Sequence, residues 1–337
     1  MKRRLLRVEG AWWMMRMNIW MPIMVPGGWL AARHPASDWK LLAAAVATAL
    51  AGGLAVVIND ILDRKKDAVT APELPLPSGV VTLPLALLTA ATLAVCIVGF
   101  WRIASVSWVA WAYVLGVAAL GGALVVAYSF AKPYGIVAPA VAGCAYATIP
   151  ACAWLATGGG RGAYPVILAL LYAMLIGAGG TIHAALRDVE TDAEVGNWTV
   201  AVRLGPERTL RLGSILYGSA TMCVLVVALT GGHPDSRVPL VALAALGIVS
   251  AHTYAARLQL RSGTLGRAGR AKAMRPATLS RLGSHLALIA EGSVPIAAVV
   301  GCASAVLLVA QIFGYRRRIF QGGLRHSLER AVARDRQ

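Results

Sequence analysis

Nine apolar runs, each near the length of a membrane crossing, constrain this chain more than any other feature. They fall at roughly 17–33, 39–59, 80–100, 106–129, 134–157, 163–184, 210–230, 237–256 and 286–313. An α-helix rises about 1.5 Å per residue, so roughly 20 apolar residues cover a hydrocarbon layer of about 30 Å. Backbone polar groups in lipid must be satisfied within the segment, which favours helices. The expected class is therefore all-α: a polytopic membrane protein of about nine transmembrane helices. Composition agrees, with 58% hydrophobic residues, mean hydropathy +0.66 and only 14% charged residues. Soluble domains carry roughly 25% charged residues. No stretch remains for a separate soluble domain, so residues 1–337 are read as one unit, with a basic segment at 1–15 and a basic tail at 316–337.

The first run is the weakest, because Pro22, Pro26, Gly27 and Gly28 interrupt it. Its basic start, Met1 to Arg7, resembles the opening of a signal peptide. Arg16 and Asn18 interrupt the apolar stretch beyond it, and no small-residue cleavage site comes after that stretch. A basic amphipathic start to the first helix is expected instead. Abundant Ala and Gly imply helices packed closely through small residues. Trp12, Trp13, Trp29, Trp39, Trp101, Trp154 and Trp198 fall near run ends, where an interfacial aromatic belt would place them. All five cysteines lie in apolar segments without metal-ligand spacing and are expected to pack as small residues, free of disulfides.

The connections differ in character. Those at 60–79, 185–209 and 257–285 are long and rich in Lys and Arg, whereas those near 34–38, 101–105, 158–162 and 231–236 are short. The positive-inside bias puts the long set on the cytoplasmic side of a membrane, most simply the cell membrane. The net charge of +17 belongs to these loops and to contact with anionic lipid; no nucleic-acid-binding motif accompanies it. Nine crossings would leave the basic tail outside, against the bias. Either the last run, interrupted by Glu291, Gly292 and Pro295, is not a simple crossing or the tail is an exception.

Two acidic clusters interrupt this pattern: Asn59-Asp60-Ile61-Leu62-Asp63-Arg64-Lys65-Lys66-Asp67 and Arg187-Asp188-Val189-Glu190-Thr191-Asp192. Each comes after an apolar run, and about four crossings separate them, so both should meet on one face. Positions 59, 63 and 67 recur four apart, as do 188 and 192, which lines the side chains along one helix face. Carboxylates gathered at a membrane surface imply a hard divalent cation, and two facing clusters could hold two Mg2+ ions with coordination left over for phosphate oxygens. Arg64, Lys65, Lys66, Lys132, Arg187 and Arg203 supply positive charge on the same face. A transporter site is the competing reading, but transport carboxylates lie near the bilayer midplane and these lie at helix ends.

Three segments carry a resemblance. Asn59-Asp60-x-x-Asp63-x-x-x-Asp67, followed by Pro75-Leu76-Pro77-Ser78-Gly79, resembles the first signature of the UbiA superfamily of intramembrane prenyltransferases. Asp188-x-x-x-Asp192-x-x-x-Gly196-x-x-Thr199-Val200-Ala201-Val202-Arg203-Leu204-Gly205 resembles its second, and Tyr128-Ser129-Phe130-Ala131-Lys132 its Tyr-x-x-x-Lys element. The similarity runs from about Arg16 to Leu258. It implies nine helices around a cavity open sideways to lipid, and Mg2+-dependent transfer of an isoprenyl chain from its diphosphate to an acceptor. By position, Asn59, Asp63, Asp67, Asp188 and Asp192 would hold the metal, with Asp60 part of the same motif. Lys132, Arg64, Tyr128 and Arg203 would meet the diphosphate. Departures are Leu74 and Ala185, where members often carry Arg and Asp, and Pro133, where a second basic residue is frequent.

In the implied reaction, metal neutralises the departing diphosphate and the apolar cavity shields the allylic cation. His183, one turn before Asp188, is the candidate base for an aromatic acceptor. The expected partners are a prenyl diphosphate, membrane lipids and an aromatic or quinone-precursor acceptor. The alternatives are a glycerol-phosphate lipid acceptor, or cyclisation of the prenyl chain itself.

Overall fold

The computed structural model describes residues 38–72, 74–158 and 163–230, with single positions at 10, 11, 14, 246, 247, 250, 253, 254, 256 and 257. Among the described residues seven α-helices are delimited, in order: α1 Asp38–Thr70, α2 Leu83–Ala104, α3 Trp108–Ala131, α4 Val137–Ala156, α5 Ala163–Arg187, the short α6 Val189–Glu194, and α7 Val200–Thr230. All but α6 are long and apolar enough to cross a membrane. These six correspond to the runs expected between 39 and 230. The runs at 17–33 and 286–313, most of 237–256, the basic loop beyond Arg257 and the tail at 316–337 lie outside the described residues.

Two helices are longer than their apolar cores. α1 continues through the first acidic cluster to Thr70, because no proline or glycine falls between Asn59 and Thr70 and the charged residues there are compatible with a helix. It stops where Pro72 disfavours helical geometry in the residue before it. α7 begins at Val200, ten residues before its apolar run, and bends at Gly205, whose φ of 76° precedes Pro206. Of the expected long connections, those at 60–79 and 185–209 are thus largely helical.

Short junctions fix the rest. Ser107 caps α3 by accepting from the Ala110 amide at 3.0 Å. A proline in the first turn of α2 costs no helical hydrogen bond there. The Val106 amide donates to the Ala156 carbonyl at 2.9 Å, tying the α2–α3 junction to the end of α4. Those junctions form one end of the bundle. The ends of α1, α3 and α5 and the start of α7 form the other.

α1 packs on α2, and α3, α4, α5 and α7 pack in sequence, with α3 also touching α1. One core joins Ala43, Ala44 and Ala47 of α1 to Trp101, Val114, Ala153, Tyr172 and Ala220 from the other five long helices. Small residues permit the approach. A Cβ on Gly143 of α4 would lie 2.8 Å from the Met174 carbonyl oxygen of α5. Trp101, expected at the interface, is instead buried at 2% exposure within this core. Trp39 and Trp198 remain exposed. α2 and α3 expose Leu87, Leu88, Val95, Val109, Leu120 and Phe130, a surface too apolar for water and suited to lipid.

Candidate active site

On a helix of 3.6 residues per turn, Asn59, Asp60, Lys66 and Asp67 lie within about 60° of Asp63. Arg64 falls about 100° away and Lys65 on the far side. The structure agrees with this geometry: Asp60 is buried, Asp63, Lys66 and Asp67 are partly buried, and Arg64 and Lys65 are exposed. Arg64 makes no ion pair among the described residues.

The end of α3 completes this face. Lys132 opens a short turn, Lys132–Tyr134, at the end of α3. Its ammonium donates to Asn59 Oδ1 at 2.6 Å and pairs with Asp63. Ser129 Oγ donates to the same Asn59 oxygen at 3.3 Å. The Lys132 ammonium also lies 5.1 Å from the centre of the Tyr128 ring. Tyr128, Ser129 and Lys132 therefore converge on the start of the first cluster.

The second cluster sits on a shelf. α5 ends at Arg187, and the short α6 follows at once, with its Asp192 within reach of Lys66 on α1. The Asp192 amide donates to the Asp188 carbonyl at 2.8 Å. Gly196, at φ 73°, closes α6 in a conformation that L side chains resist. Asn197 then returns to Asp192 twice, through its amide to the carbonyl at 2.8 Å and through Nδ2 to Oδ1 at 3.3 Å. Further along, Thr199 bridges to Gly135, and Arg203 donates to the carbonyls of Trp198 at 3.0 Å and Pro133 at 3.5 Å. The non-acidic residues of the second motif thus brace the loop that presents Asp192.

An ion pair joins the two clusters directly. Lys66 Nζ lies 2.9 Å from Asp192 Oδ1, across 126 residues of sequence. Asp67 feels the charges of Asp60 and Asp63 together with those of Lys66 and Lys132. Asp63, Asp188 and Asp192 all act electrostatically on the Tyr128 hydroxyl. Among the described residues no three acidic, His or Cys side chains gather closely enough to form a metal cage. The carboxylates of Asp63 and Asp192, brought to the same end of the bundle, are hard oxygen donors of the kind that Mg2+ takes together with water and substrate phosphates.

His183 lies on α5 and is buried. Its ring stacks on Tyr217 of α7 at 4.9 Å between centroids and 21° between planes, with Nε2 against Gly213. Sequence reading placed Lys66 only among general basic residues and did not single out Ser129 or Asn197. Both lay inside motifs without a role of their own, Ser129 in the Tyr-x-x-x-Lys element and Asn197 five residues after Asp192. The side chain of Arg187 lies outside the described residues.

The carboxylates stand at helix ends and not at mid-span, which disfavours the transporter reading. Comparison with solved structures finds the same arrangement of helices. A digeranylgeranylglyceryl phosphate synthase aligns over 87% of this chain and 99% of its own, at 18% identity and a TM-score of 0.60. An apo UbiA homologue from Aeropyrum pernix K1 aligns over 82% and 96%, at 16% identity and a TM-score of 0.61. A UbiA homologue from Archaeoglobus fulgidus bound to DMAPP and Mg2+ aligns over 82% and 98%, at 15% identity and a TM-score of 0.58. No curated protein sequence matches significantly. At these identities the structures establish the fold. The sequence model of the UbiA prenyltransferase family, however, matches residues 20–267, well over half of the chain, and the chain belongs to that family.

Proposed function

We propose that this prenyltransferase uses Mg2+ to transfer an isoprenyl chain from its diphosphate to an aromatic or quinone-precursor ring. The observation that carries the diphosphate chemistry is the meeting of both acidic clusters at one end of an apolar bundle, joined by Lys66 and with Lys132 paired to the first. Asn59, Asp60, Asp63 and Asp67 on α1, and Asp188 and Asp192 around α6, supply the hard oxygen donors. Bound there, Mg2+ would neutralise the charge that develops on the departing diphosphate.

Lys132 and Tyr128 bind and orient the diphosphate at the start of the first cluster. Arg64, on the exposed flank of α1, is assigned to the outer side of the same anion. Arg203 contributes by bracing the loop, since its guanidinium already serves two backbone carbonyls. His183 is held as a packing residue between α5 and α7, and proton removal from the acceptor is assigned to no side chain. The apolar bundle excludes water from the allylic cation. The active face is cytoplasmic, in the cell membrane, as the basic connections favour.

The likeness to a digeranylgeranylglyceryl phosphate synthase supports a second reading, transfer to a glycerol-phosphate lipid. Purified chain in vesicles, supplied with Mg2+, labelled prenyl diphosphates and each acceptor class, separates the two. A prenylated aromatic product supports the first and a prenyl glycerol ether the second. A hydrocarbon formed without acceptor would replace both with cyclisation, and no diphosphate release under any condition would overturn the prenyl-transfer assignment.

A further inference from the structure

Lys66 occupies an unusual place among the basic residues of α1. Arg64 and Lys65 stay exposed, while Lys66 turns onto the acidic face and reaches the other cluster. The Asp192 side chain is 8% exposed and that of Lys66 29%. A carboxylate so enclosed is costly to leave without a partner. Lys66 is that partner, and the neutral Asn197 amide shares the same oxygen. Lys132 stands in the same relation to Asp63. Each cluster therefore carries its own ammonium.

A divalent cation on Asp192 Oδ1 would stand within about 5 Å of an ammonium that lies 2.9 Å from the same oxygen, so the two positive charges would repel. The repulsion favours moving the ammonium, and a flexible four-carbon stem allows it. The multiply charged diphosphate is the obvious destination on the same face. We propose that Lys66 is a positioning residue that holds Asp192 until diphosphate arrives and then transfers its ammonium to the phosphate oxygens. Metal binding at the second cluster is thereby coupled to substrate binding. This rests on the assignment of both clusters to Mg2+ under the proposed function. Because coupling is reciprocal, metal alone binds weakly and each ligand strengthens the other.

The test is a Mn2+ titration of the full chain in detergent micelles without diphosphate, with free Mn2+ read by electron paramagnetic resonance. Lys66→Gln should tighten Mn2+ binding at one site by about tenfold, within the range usual for coupled sites. Lys66→Met, which keeps most of the stem, should do the same, and Lys66→Arg should behave as the wild type. Adding Asp192→Asn to Lys66→Gln should abolish the gain. A merely structural role for Lys66 would weaken metal binding or leave it unchanged, and either result for both neutral variants overturns the proposal. A gain that survives Asp192→Asn also overturns it. Wild-type protein that binds no Mn2+ even with dimethylallyl diphosphate present would instead overturn the metal assignment itself.

Discussion

Among the described residues, Asp63 and Asp192 are each paired with an ammonium, from Lys132 and Lys66 respectively, and each belongs to a different cluster. If the clusters act on one diphosphate, removing either should already lose most of the leaving-group stabilisation, which is typically worth several kcal/mol. Asp63→Asn and Asp192→Asn should each lower kcat by about a thousandfold, and the double variant should fall little further, as residues acting as a unit are non-additive. Steady-state kinetics on folded protein checks this, and two modest losses that simply add would contradict a joint site. Lys132→Ala should raise the KM for prenyl diphosphate more than the KM for the acceptor, because a cation beside phosphate binds the ground state too. The reverse pattern would move Lys132 to the acceptor side. The acidic residues were legible in the sequence because a four-residue spacing reports a helix face directly. The ammonium partners were not, since Lys66 meets Asp192 through tertiary folding alone. Local sequence presents Arg64, Lys65 and Lys66 as equivalents, and only the phase of α1 separates them.

The helices were legible where apolarity is continuous and less so where it gives out. α1 runs beyond its apolar core because charged residues outside lipid sustain a helix until Pro72 intervenes, whereas the polar start of α7 is a short helical piece joined to the rest across the kink at Gly205. α6 was hidden inside a connection, being a six-residue element set by Asp188, Gly196 and Asn197. Trp101 shows a different limit: a tryptophan near a helix end meets either lipid or a neighbouring helix, and composition does not distinguish them. Helix spacing supplies an element-scale prediction. Gly143→Ala places a methyl against the Met174 carbonyl oxygen, and backbone gives way poorly. Its Tm in detergent should drop by several degrees, roughly what 1–3 kcal/mol of overpacking does. Gly122→Ala on α3, where nothing lies within 4 Å of a Cβ, should leave Tm near the wild-type value. Equal losses at the two sites would mean that α4 and α5 are not in close contact.

Across the whole molecule, four helices separate the two clusters, which fixes them at one end whatever the orientation in the membrane. Single cysteines at positions 70 and 195 should be labelled from the same side by an impermeant thiol reagent. A cysteine at position 106, in the α2–α3 junction, should be labelled from the other. Labelling of 70 and 195 from opposite sides would dismantle the shared site. The length of α1 then has a kinetic consequence. From exposed Trp39 to Asn59 is about 30 Å of helix, one hydrocarbon thickness, so the acidic face begins at the depth of lipid phosphates. A prenyl diphosphate lying in the bilayer already holds its head at that depth and its tail in the acyl layer. It can enter by lateral diffusion without leaving the leaflet. The enzyme's effective substrate concentration is then a mole fraction in two dimensions. Diluting vesicles with buffer should leave the rate per enzyme unchanged, whereas diluting the substrate with inert lipid at constant bulk concentration should lower it in proportion.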